Sequence, residues 1–167
     1  TVNLGLDLRG GSHLVFEVDM EEVREERLEN LQADVRAVLR QDPPILSAPP
    51  AVVNGEVTVR LSREDDLDRA LERLEDINEP VTTAGGQQTL DDTLIIRRGE
   101  DGRTVRVAIT EAALDSIRQR TVQQSLQVIR RRIDTTGTTE PTIAPQGADR
   151  VLVQVPGESD PQRIIDL

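Results

Sequence analysis

The stretch Arg130-Arg131-Arg132-Ile133-Asp134-Thr135-Thr136-Gly137-Thr138-Thr139-Glu140-Pro141-Thr142-Ile143-Ala144-Pro145-Gln146-Gly147-Ala148-Asp149-Arg150-Val151-Leu152-Val153-Gln154-Val155-Pro156-Gly157 decides how the chain is read. It joins the end of the longest helical pattern to a turn and a short extended segment. A second turn, Gln146-Gly147-Ala148-Asp149, leads into a strand in which Val151, Val153 and Val155 share one face. Gly137 falls where a helix end favours a residue tolerant of positive φ, and Pro141 soon afterwards forbids continuation. The stretch reads as a helix feeding a hairpin.

Upstream of it, Thr110 is placed to cap a helix running from Glu111 to about Thr136. Such a helix is about 39 Å long, so it is expected to bend or to protrude beyond its sheet. Two strands, Leu94-Ile95-Ile96 and Thr104 to Ile109, flank the polar turn Gly99-Glu100-Asp101-Gly102. Before them, Ser62 is expected to cap a helix whose stripe is Leu67, Ala70, Leu71, Leu74 and Ile77, closed by Asn78 and Pro80. Val81 to Ala84 then runs extended into Gly85-Gly86. Asn54-Gly55 is the strongest short hairpin signal, between Ala51-Val52-Val53 and Glu56 to Leu61. Pro49-Pro50 keeps the first of those segments from being a long central strand.

From Glu21 to Gln41, Leu28, Leu31, Val35, Val38 and Leu39 keep to one helical stripe, ended by Asp42-Pro43-Pro44. Gly10-Gly11 enters a strand from His13 to Asp19. Downstream, Ser159-Asp160-Pro161 opens a helical pattern still apolar near Leu167 and expected to go on. The first six elements follow the order strand, helix, strand, strand, helix, strand, and the pattern then partly repeats. The expected fold is therefore α+β, built from ferredoxin-like βαββαβ units. The division expected is a lead-in over 1–12, a first half over 13–86, and a second half over 87–167 truncated at its end.

Composition narrows the chemistry. Of 167 residues only Phe16 is aromatic, and the formal charge is −11. Stacking recognition of nucleic acid and a positive phosphate-binding field are both disfavoured, so no nucleic-acid partner is expected. All 20 basic residues are arginine, which reads as coding bias. The chain has no Cys, which excludes disulfides and thiol chemistry. No run approaches the length of a membrane span. His13 is the sole histidine and reads as an ordinary residue at a strand start. Acidic residues such as Glu21, Glu22, Glu25 and Glu26 read as a solvated helix face. Leu8-Arg9-Gly10-Gly11 opens a strand and lacks the Lys-Ser/Thr of a phosphate loop. The consecutive Arg130, Arg131 and Arg132 point in different directions and suit the negative end of a helix dipole. No catalytic group, metal, cofactor or small-molecule substrate is expected.

Two blocks carry a resemblance. Leu4-Gly5-Leu6-Asp7-Leu8-Arg9-Gly10-Gly11 with Leu14 to Asp19, and Val128 to Asp134 with Gly137 to Gly157, closely resemble the SecD/SecF family of protein-export membrane proteins. Asp7, Arg9, Gly10, Gly11, Gly137, Glu140, Pro141, Gln146, Gly147, Asp149 and Arg150 are the positions that match its motifs. The resemblance implies the N-terminal part of a first large periplasmic domain, following a transmembrane helix, on the periplasmic side of a bacterial inner membrane. It implies partnership with SecF, with the SecYEG channel and with the translocating unfolded polypeptide, in relatives of the resistance-nodulation-division transporters driven by a proton gradient. Proton-handling residues of that family lie in membrane helices, so this stretch is expected to act mechanically or adhesively and not as an enzyme. The alternative is a free-standing ferredoxin-like binding or sensor domain.

Overall fold

A computed structural model describes residues 11–134 and 142–156. β1 (Gly11–Glu17) is followed by α1 (Met20–Leu39), which buries Leu28, Leu31, Val35, Val38 and Leu39, the stripe its spacing requires. β2 (Ala51–Val53) and β3 (Glu56–Arg60) form the expected hairpin. Asn54 and Gly55 both take positive φ, 53° and 76°, as a tight primed turn demands. α2 (Leu67–Glu75) buries Leu67, Ala70 and Leu74. β4 (Pro80–Thr82), β5 (Gln88–Asp92), β6 (Leu94–Arg98) and β7 (Thr104–Ile109) precede α3 (Glu111–Asp134), and β8 (Thr142–Gln146) and β9 (Arg150–Pro156) close the described chain.

The chain divides into two compact units, an inserted unit over Glu21–Ser116 and an outer unit made from Thr1–Met20 and Ile117–Leu167. In the inserted unit, an antiparallel sheet of order β2-β3-β7-β6 packs Val57, Val59, Val105 and Val107 against Leu31, Val35 and Val38 of α1 and Ala70 and Leu74 of α2. Its other face, with Thr58, Arg60, Arg97 and Arg106, is open. β4 and β5 make a separate two-stranded ribbon. Ser116, buried at the end of this unit, donates its hydroxyl to the Thr82 carbonyl of that ribbon.

The outer unit has its own core. Its sheet has the order β1-β9-β8, and Leu14, Val151, Val153 and Val155 pack with Val122 of α3, with Leu126, Ile129 and Ile143 around them. β1 and β8 are each antiparallel to β9, hence parallel to each other with β9 between them. α3 precedes β8 in the chain.

The α+β class is as expected, but the strands pair differently. The expected first half over 13–86 does not form a sheet of its own among the described residues. β1 pairs with β9, β4 pairs with β5, and β3 turns to β7, so the pairing crosses the expected 86/87 boundary. The sequential order was that of two tandem units, whereas hydrogen bonding nests one unit inside another. Ser62 is not the cap of the second helix. A 3-10 turn, Glu64–Asp66, intervenes, and its N-cap Arg63 makes no side-chain capping bond. The backbone N–H of Ser62 instead donates to the Leu46 carbonyl at 2.8 Å, which holds Ser62 to the preceding loop. Thr110 does cap α3, its hydroxyl oxygen accepting from the N–H of Ala113 at 3.2 Å. The helix stop expected at Gly137 and Pro141 and the helix expected after Ser159 lie outside the described residues.

Candidate functional site

The outer unit collects part of the motif at the β8–β9 turn. Gly147 has φ 73°, and a Cβ there would meet nothing within 4 Å, so the glycine answers to backbone conformation and not to crowding. The turn sets Gln146 opposite Arg150, and Arg150 in turn faces Glu17 at the end of β1. The N–H of Val18 donates to the Asp149 carbonyl at 2.8 Å, sealing the turn onto β1. Arg150 Nε lies 3.8 Å from Asp149 Oδ1 with Arg150 exposed and Asp149 partly so, and this ion pair adds little stability. Gly11 faces Pro156 at the opposite end of the same strand pair, about 20 Å away at the rise of a strand. Thus Gln146, Gly147, Asp149 and Arg150 come together, and Gly11 is remote from them. Asp7, Arg9, Gly10, Gly137, Glu140 and Pro141 lie outside the described residues.

The remaining polar groups of this unit are bound to its frame. His13 is half-buried on β1, its Nδ1 3.1 Å from the side-chain nitrogen of Gln154 on β9. Arg130 donates from Nη2 to the Ile143 carbonyl at 3.4 Å, linking α3 to β8 in addition to any helix-dipole role. Among the described residues no group of three or more His, Cys, Asp or Glu could hold a metal ion.

The inserted unit carries a concavity that sequence reading did not find. Along α1, Arg27, Leu31, Asp34 and Val38 recur at helical spacing on one face, and with Ala37 they form one wall. Ile77 and Glu79 beyond α2, Thr93 and Leu94 at the start of β6, and Ile109 at the end of β7 form the rest of a cavity of about 350 Å³. Its floor is apolar, with Leu31, Val38 and Leu94 buried, while Arg27, Asp34 and Glu79 are exposed at the mouth. Asn78 closes the sheet edge beside it: its Oδ1 accepts from the Leu94 N–H at 2.8 Å and its Nδ2 donates to the Leu94 carbonyl at 3.1 Å. In the sequence Asn78 reads as a helix terminator, and its bonds to Leu94, 16 residues further on, have no local signal.

One carboxylate is clearly perturbed. Asp101, in the β6–β7 turn, accepts from the Thr104 hydroxyl at 2.8 Å and from the N–H groups of Thr104 and Arg103 at 2.8 and 3.1 Å. The Thr104 hydroxyl first, then those two amides and the Arg60 guanidinium, hold its pKa below the usual carboxylate range. The group is exposed and, among the described residues, bonds to its own turn and pairs with Arg60, so it organises the loop.

Comparison with known proteins bears on both units. Residues 1–22 match the SecD/SecF GG motif, and residues 122–167 match the N-terminal part of the P1 domain of protein translocase subunit SecDF. Protein translocase subunit SecD of Rhodobacter capsulatus is 39% identical over 168 residues, covering 99% of this chain. The chain belongs to the SecD family. The corresponding SecD of Rickettsia conorii is 32% identical over 96% of the chain, and that of Pseudomonas aeruginosa is 29% identical over 95%. The chain spans only 30%, 28% and 24% of those three SecD proteins. No solved structure matches. The two SecD profiles fall on the outer unit, one on β1 and the other on α3, β8 and β9, and the residues between them are nearly the whole inserted unit. No helix of the described residues is long and apolar enough to cross a membrane.

Proposed function

We propose that this P1 segment serves its translocase subunit mechanically, relaying proton-gradient-driven motion of a membrane part on the periplasmic side, and that it also touches the emerging polypeptide. The observation that carries the reading is α3. Its residues Val122, Leu126 and Ile129 fasten it to the β1-β9-β8 sheet. A continuous helix transmits displacement along its axis, whereas a loop would absorb it. SecF and the SecYEG channel are the partners proposed for the whole subunit, acting through parts beyond these residues.

The strand order β1-β9-β8, with α3 preceding β8, supports a split βαβ reading of the outer unit. β1, α3, β8 and β9 supply the first four elements of one ferredoxin-like βαββαβ unit, with the inserted unit placed between its first strand and first helix. The relay is tested with Gln119→Pro in the full-length subunit. Gln119 is exposed in mid-helix, so proline breaks α3 at a cost of about 3 kcal/mol without removing a core side chain. Export of a secreted reporter should fall severalfold while Gln119→Ala is neutral. Undiminished export by a Gln119→Pro protein present at normal abundance would refute the relay.

A further inference from the structure

We infer that the groove between α1 and the start of β6 is a binding site for an extended polypeptide, taking an apolar side chain into its floor and an adjacent Lys or Arg at its mouth. The inference rests on the reading that this segment contacts polypeptide, and it assigns that contact to the inserted unit. The floor is lined by Leu31, Val38, Ile77, Leu94 and Ile109, and at about 350 Å³ it admits a side chain of leucine or phenylalanine size with room for its neighbour. At the mouth Asp34 and Glu79 outnumber Arg27, and no ion pair engages any of the three among the described residues. Charged groups beside apolar surface, without partners of their own, favour a ligand that brings complementary charge.

The mode of binding follows from Asn78. Because its amide already occupies both the N–H and the C=O of Leu94, a visiting chain cannot add as a strand at this point of the edge. Recognition here is by side chains. The same chemistry argues against a second copy of this chain as the occupant. Leu90 is fully exposed on β5 and would suit the floor, but Asp91 and Asp92 follow it and would meet Asp34 and Glu79 with like charge.

The test uses the full-length subunit in detergent and short fluorescein-labelled peptides of alternating Leu and Arg, Leu and Glu, or Ser and Arg. The Leu/Arg peptide should bind about tenfold more tightly than either of the others. Ala37→Trp fills the groove from an exposed helix position and should abolish that preference. Asp34→Arg with Glu79→Arg, both at exposed positions, should transfer the preference to the Leu/Glu peptide. No binding by the wild type, or a preference untouched by both variants, would overturn the site. Photo-crosslinking during export separates this from the wider reading. Adducts from probes at Gln123 and Arg150 but none from Ala37 would overturn the groove alone, and absence of adducts at all three would overturn polypeptide contact as well.

Discussion

At the scale of single residues, Asp101 shows how a local bond network becomes a pH response. Its folded pKa is depressed, so the stability it lends the β6–β7 turn is fully present above the ordinary carboxylate value. That stability is lost as pH falls through the lower folded value. The amide resonance of Thr104, which donates to Asp101, should therefore shift with a midpoint below the ordinary carboxylate range, and Asp101→Asn should remove the transition. A midpoint at or above the ordinary value would contradict the bonding described. Much at this scale was legible beforehand. Asn54-Gly55 announced its turn because few residue pairs tolerate two successive positive φ angles, and Thr110 announced its cap. Ser62 misled because a hydroxyl before an acidic run is a cap only if the backbone turns at once, and here a 3-10 turn intervenes.

Elements were legible where burial is one-sided. The stripes of α1 and α2 and the alternating valines of β9 read correctly because each element has one dry face. β5 escaped notice for the converse reason. Its residues Gln88 to Asp92 are largely exposed and show no alternation, so nothing in their order marks a strand. The groove was invisible too, being assembled from α1, the end of α2 and two strands. The edge of β6 offers a test at this scale. Asn78→Ala removes two bonds to Leu94, which should cost about 1–2 kcal/mol and speed hydrogen exchange at the Leu94 amide by about tenfold or more. Unchanged exchange there would show that the side chain does not protect the edge. At the other sheet, β8 carries Pro145, which lacks an N–H and discourages further pairing on that edge.

For the whole molecule, the two separate cores predict two separable responses to mutation. Leu74→Ala in the inserted unit and Leu14→Ala in the outer unit should each cost about 2–5 kcal/mol. Hydrogen exchange should show lost protection confined to the unit that holds the mutation. Loss spread evenly over both would mean that the cores unfold as one. The nesting itself could not be read from sequence, because a pairing such as Glu17 with Arg150 has no local signature. Strand order along the chain fitted tandem units equally well.

That pairing also dictates a schedule. β1 is made early, and its partner β9 follows only after roughly 130 further residues, a delay of roughly 6 to 26 seconds at ordinary rates of synthesis. Throughout that interval a seven-residue strand has both edges open. The inserted unit, complete in itself by Ser116, is free to fold during the wait and so to replace a long slack loop by a compact body before β1 is closed.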